Sequence, residues 1–145
     1  MTDEQEILKT FEEYSEKFQA LKPRDVMGYY HYPSILINDD KAAALKNPLE
    51  AYIALKIAMG DLKKQGYEYA YTRNLKVTMQ SDHLAIITGA ATRFRKDDSV
   101  ILDFGLTYNF RKDKDNKWKI IAGIIHDIIP PSQSYLAPSI ASNSR

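Results

Sequence analysis

The chain has 145 residues, 44% of them hydrophobic and 27% charged, with a formal net charge of +1. That length fits one domain able to bury a core, and the near-zero charge excludes electrostatic capture of nucleic acid or acidic membranes. Cysteine is absent, which excludes disulfides, thiolate nucleophiles and Cys-ligated zinc or iron–sulfur centres. The polar, acidic N-terminus does not read as a signal peptide, and no apolar run nears the roughly 20 residues that cross a bilayer. The expectation is a cytoplasmic protein with no membrane or nucleic-acid partner.

Thr2 and Gln5 have capping-box spacing, and Ile7, Phe11, Tyr14, Phe18 and Leu21 recur at three to four residues. Together they predict an amphipathic helix over about 3–21. Pro23 suits the first turn of a second, short helix through about Tyr30. SILIN, 34–38, reads as a short strand, Asp39-Asp40-Lys41 as a turn, and 42–46 as another short strand. Asn47 is a candidate N-cap with Pro48 at the first helical position. Tyr52, Ile53, Ile57 and Met59 carry that helix to about Gln65, where Gly66 stops it.

Beyond Gly66 the apolar period becomes two, and four strands follow at about 67–79, 84–95, 100–111 and 117–128. A Pro/Ser-rich tail occupies 130–145, after a single domain over 1–129. Helices first and a long antiparallel meander last predict an α+β fold with the helices on one face of a curved sheet.

Tight turns at Ser81-Asp82 and Asp97-Asp98 and a loop over Asp113–Asn116 set a register. Across the sheet it aligns Tyr71, Thr92, Asp103 and His126 in one row, with Arg73, Ala90 and Gly105 in the next. This face is apolar on all four strands apart from isolated polar groups, so it is expected to face the helices. The other face carries Phe104, Leu106, Tyr108, Phe110, Ile121 and Ile125 and would be exposed. That marks a homodimer interface through the convex side, unless the tail covers it.

A carboxylate opposite an imidazole on a buried face forms a pair able to move protons near neutrality. Asp103 and His126 are therefore the leading catalytic candidates, with Tyr71 and Tyr14 as hydroxyl donors. Arg73, Thr92, Tyr30, Asn38 and Asp39 are candidate ligand contacts, Tyr30 closing the cavity mouth with Tyr29 and His31. The alternative for Asp103–His126 is a structural polar pair without chemistry. The three histidines are too dispersed to give metal-ligand spacing, and no phosphate-binding glycine loop or nucleophile elbow is present. No metal and no cofactor are expected.

The segments FEEYSEKFQALKP, YYHYPSILIND, NPLEAYIALK and KWKIIAGIIHD resemble the NTF2-like superfamily, in its SnoaL-like and ketosteroid-isomerase-like branch. The resemblance covers roughly 5–128. It implies a cone: a curved sheet around helices, with a pocket at the open end and frequent dimerisation through the sheet. By similarity to the isomerases, Tyr14 matches a hydroxyl donor, Asn38 or Asp39 the position of the base, and Asp103 a carboxyl on the sheet. An Asp–His pair with tyrosines resembles the dehydratase or cyclase style of proton transfer. The expected function is a pocket for a small hydrophobic molecule, with metal-free acid–base catalysis of isomerase, cyclase or dehydratase type. The alternatives are a non-catalytic ligand-binding module and a dimeric protein-docking module.

Overall fold

The computed structural model describes residues 1–128 and 133–139; the rest of the tail expected over 130–145 lies outside the described residues. Three helices precede or interrupt six strands: α1 (Asp3–Phe18), α2 (Pro23–Val26), β1 (Tyr30–Ile37), β2 (Ala42–Leu45), α3 (Pro48–Lys64), β3 (Tyr67–Met79), β4 (Leu84–Arg95), β5 (Val100–Lys112) and β6 (Trp118–His126). The strands form one sheet in the order β2-β1-β6-β5-β4-β3. Among the described residues only the β1–β6 pairing is parallel. No helix among the described residues is long and apolar enough to cross a membrane.

Local chemistry sets the helix ends. The Thr2 and Gln5 side chains each accept from the other residue's backbone N–H, at 3.2 and 2.9 Å, closing the capping box. The Asn47 side chain accepts from Glu50 N at 2.9 Å. Gly66 ends the α3 turn at φ +83, a conformation glycine adopts without steric cost. α1 stops earlier than the predicted residue 21, because Leu21 turns into the left-handed region at φ 53 while its side chain stays buried.

The core lies between the helices and one face of the sheet. α1 contributes Ile7, Phe11 and Tyr14, and α3 contributes Ala51, Leu55, Met59 and Leu62. They meet Ile87 and Ala91 of β4 and Phe104, Leu106, Tyr108 and Phe110 of β5. The Phe11 ring sits edge-on to Tyr108 and Phe110, with centroids 5.1 and 6.4 Å away.

This reverses the expected sheet orientation. The covered face is the one carrying Phe104, Leu106, Tyr108 and Phe110, all buried. Ile125 is half-buried on the same side, and Ile121 is half-buried within a bulge. None of these six offers the convex dimer surface predicted for them. The described part of the tail does not cover apolar surface with its largest side chains either, since Tyr135 and Leu136 are 84% and 93% exposed.

Two irregularities explain the reversal. In β3 the register with β4 shifts between Arg73 and Lys76, at Asn74, which has φ 57. Before this bulge, Thr72 pairs with Ala91 on the covered face; after it, Val77 pairs with Ile87 and Met79 with Ala85 on that same face. A bulge exchanges the two faces of a strand. Leu75 and Val77 therefore leave the face that looked apolar throughout and join the core. Between β5 and β6 the loop runs one residue longer than expected, so Lys112 pairs with Trp118, and a bulge opposite Asn109 and Phe110 adds a second shift. His126 consequently faces Gly105, not Asp103. The β4–β5 register matches the prediction from Leu84–Arg111 to Arg93–Leu102.

α3 needs a second correction. Of the apolar residues expected to form its buried side, only Met59 is buried; Tyr52 is half-buried and Ile53 and Ile57 are about half exposed. Their exposure is a property of the cavity below.

Candidate functional site

A cavity of about 580 Å³ opens between α1, α3, the β1–β2 hairpin and the covered face of the sheet. This lies within the size range of small-molecule sites. Its walls are mainly aliphatic. Ile53 and Ile57 form the lip along α3, and Leu36, Ile125 and Gly123 lie on the sheet side. A Cβ at Gly123 would approach Tyr108 Cε2 to 3.0 Å and Leu36 Cδ2 to 3.1 Å, so glycine lets the tyrosine ring lie against β6.

The polar end is a tyrosine cluster. Tyr14 on α1 and Tyr30 on β1 share a hydroxyl–hydroxyl hydrogen bond of 2.5 Å. Their rings cross nearly at right angles with centroids 5.7 Å apart, and Tyr108 lies 6.1 Å from Tyr14. All three line the cavity. Burial pushes the Tyr14 hydroxyl well above its ordinary range, with further repulsion from Tyr108 and Tyr30. Burial likewise raises Tyr30 and Tyr108; the Tyr14 hydrogen bond and the Arg93 charge oppose the rise at Tyr108. These groups therefore stay protonated and act as donors, not as bases. Three hydroxyls joined through Tyr14 by two bonds retain one O–H for a further partner.

The fourth polar group is Arg93. On β4 it shares the covered face with Ala91 and Ile87 and also lines a neighbouring cavity of about 70 Å³. Its guanidinium carbon lies 4.7 Å from the centre of the Phe104 ring. Charged groups at the cavity mouth are Lys41, Glu50 and Asp61. The Glu50 carboxylate accepts from Lys46 N at 3.0 Å. Among the described residues no three His, Asp or Glu side chains are grouped to hold a metal ion.

The predicted site residues divide between the two faces. Tyr14 and Tyr30 line the cavity. Asn38 lies at its mouth, but its side-chain oxygen accepts from Asp40 N and Lys41 N and so holds the turn. Asp39 is exposed in that turn and does not reach the cavity. Tyr71, Arg73, Thr92, Asp103 and His126 lie on the outer face. There Arg73 donates to Asp103 Oδ1 and to Thr92 Oγ1, both at 2.8 Å, and the Thr92 hydroxyl donates to the same carboxylate oxygen at 2.7 Å. Arg73, and then Thr92, hold the Asp103 carboxyl below the usual carboxylate range. His126 is not its partner. The imidazole Nδ1 donates to Asp127 O at 2.8 Å, and Nε2 pairs with the Thr107 hydroxyl at 2.9 Å. The ring lies over Gly105, where a Cβ would meet His126 Cε1 at 2.5 Å. Tyr71 is 68% exposed. The proposed dyad and its row are thus a solvent-facing polar strip, because the covered face is the other one.

Sequence reasoning missed Arg93 and Tyr108. The predicted register assigns Tyr108 to a partner surface. Arg93 carried a usable signal: a lone cation in the alternation Ile87, Gly89, Ala91, which reads as cavity-lining once that face is known to be covered.

The family model for an NTF2-like protein (DUF6841) matches residues 3–128. The chain belongs to this NTF2-like family. Among solved structures it is similar to an NTF2-like protein of unknown function from Shewanella oneidensis, with 18% identity over 85% of this chain and 98% of the other, TM-score 0.67. An NTF2-like protein with a cystatin-like fold from Novosphingobium aromaticivorans matches with TM-score 0.71 at 11% identity, over 87% and 82% of the two chains. A ketosteroid isomerase-like protein from Erwinia carotovora matches with TM-score 0.64 at 17% identity, over 88% and 98%. At these identities the likeness is one of fold: the NTF2-like, cystatin-like α+β cone. No curated protein matches the chain.

Proposed function

We propose that this NTF2-like chain is a small-molecule pocket protein that binds one largely apolar molecule between α1, α3 and the sheet. The observation that carries this is the cavity itself: aliphatic walls and lip, with hydroxyl donors gathered at one end. An apolar site with a few convergent polar groups is the usual form of a ligand pocket. Exposed Ile53 and Ile57 fit the same reading, since an occupant would cover them.

The test is a thermal-shift screen of apolar small molecules against the wild type and Ala54→Trp, whose indole would fill the cavity beside α3. Saturable binding lost in the folded variant supports the reading. Absence of any saturable binder, or binding indifferent to Ala54→Trp, refutes it.

A second reading, acid–base catalysis, is favoured by one observation. Paired Tyr14 and Tyr30 hydroxyls are suited to stabilise a developing oxyanion, an effect that can supply a few kcal/mol. The proton acceptor would then be a mouth carboxylate, Glu50 or Asp61, because Asp103 and His126 face away. Turnover in an isomerisation and dehydration panel, lost in Tyr14→Phe, would favour catalysis over binding alone.

A further inference from the structure

Arg93 differs from the well-anchored arginines of the sheet. Arg73 is held by Asp103 and Thr92, Arg95 by Gln65 O, Ser99 and Val100 O, and Arg111 by His31. Arg93 is half-buried, yet its side chain donates no hydrogen bond and joins no ion pair among the described residues. A guanidinium presents five N–H donors in a planar fork. Leaving them unmatched in a partly desolvated site is unfavourable, and the cation–π contact with Phe104 engages the charge of the guanidinium but none of its donors.

Arg93 also stands where a ligand would reach it, between the large cavity and the small one, both of which it lines. The mouth carboxylates do not neutralise it: Glu50 is turned to Lys46 N, and Asp61 is exposed on α3. Lys41 adds a second cation at the entrance. The Arg93 charge acts inward as well, favouring ionisation of Tyr67 and Tyr108 against the effect of their burial.

From this we infer that the occupant of the cavity is an apolar molecule bearing an anionic oxygen group, a carboxylate in its simplest form, seated on the Arg93 guanidinium. The inference rests on the pocket reading above and adds the chemical class of the ligand. A carboxylate matches the guanidinium fork bidentately, and a free O–H from the tyrosine cluster is available as a further donor.

The test compares naphthalene-2-carboxylate with 2-naphthalenemethanol, a neutral probe of nearly the same shape, by calorimetry on the full chain. The wild type is expected to prefer the acid by about tenfold or more, the range of a charge-assisted hydrogen bond. Arg93→Met should erase the preference by weakening the acid more than the alcohol, and Arg93→Lys should keep part of it. Equal wild-type affinities for the two probes would overturn this inference and leave the pocket reading intact. A preference that survives in Arg93→Met would do the same. If neither probe binds the wild type, this inference falls, and the pocket reading stands or falls by the wider screen above. Melting curves of Arg93→Lys and Arg93→Met establish that the variants are folded.

Discussion

Removing the Tyr30 hydroxyl would leave Tyr14 buried with one partner fewer. Tyr30→Phe is expected to destabilise the fold by about 1–3 kcal/mol, read from urea denaturation. The same pair predicts an alkaline limit. Burial holds both hydroxyls protonated in the folded chain beyond the point where the unfolded tyrosines ionise. Their contribution is then fully present below about pH 10, the unfolded value, and is lost as pH rises above it. The urea midpoint should fall through that range, with a shallower fall in Tyr14→Phe; a midpoint independent of pH there would contradict the burial of these groups. Asp103 behaves oppositely. Its folded carboxyl is held low by Arg73 and Thr92, so its effect is present above the unfolded carboxylate value and disappears as pH falls through the lowered one. Being solvent-facing, it should matter little, and Asp103→Asn should leave any pocket ligand bound as before. Ser34 offers a test of the core itself. Its hydroxyl is buried without a hydrogen-bond partner among the described residues, so Ser34→Ala should leave the melting temperature unchanged or raise it.

At the level of elements, the bulges matter more than the strands they interrupt. Asn74 bends β3 by taking φ 57 in mid-strand, a conformation that asparagine tolerates and β-branched residues resist. Asn74→Val is expected to lose about 1–2 kcal/mol, whereas Asn74→Gly should be close to neutral, as measured by thermal melts of the two variants. If valine were tolerated as well as glycine, the bulge would not be what turns Val77 and Met79 into the core. The residue was visible in the chain, since an asparagine amid Tyr71, Leu75 and Val77 is a poor strand former. Its consequence was not visible, because nothing local says on which side of a bulge the helices lie. The extra shift in β6 is similar: the loop after Lys112 closes through the Asp113 carboxylate, which accepts from Asp115 N and Lys117 N. A turn one residue longer looks almost the same in sequence. α3 shows the reverse situation. Its caps were legible in Asn47, Pro48 and Gly66, but its buried side was not, because Ile53 and Ile57 are apolar for the benefit of a cavity and not of the core.

For the whole molecule, the covered face and the open end of the cone define the proposed pocket. The outer face keeps an aromatic group of Tyr69, Tyr71 and Phe94, with Tyr69 stacked on Phe94 at 4.9 Å. A homodimer formed through the sheet would use this surface, not Phe104 and its neighbours. Tyr71→Asp is then expected to shift sedimentation toward monomer, and a dimer unmoved by it would exclude the surface. Phe104→Asp, by contrast, would place a charge in the core and should unfold the chain.

The amino-acid sequence by itself determined the elements, their caps, their order and the α+β class, because these depend on periodicity and on contacts within a few residues. It also singled out Tyr14 and Tyr30. Only the tertiary structure decided which face of the sheet is covered, because a period of two distinguishes two faces without saying which one meets the helices, and a single bulge exchanges them. The cavity follows from that choice. Tyr14, Tyr30, Arg93 and Tyr108 come from four elements spread along the chain, and they converge only when the sheet closes over α1 and α3.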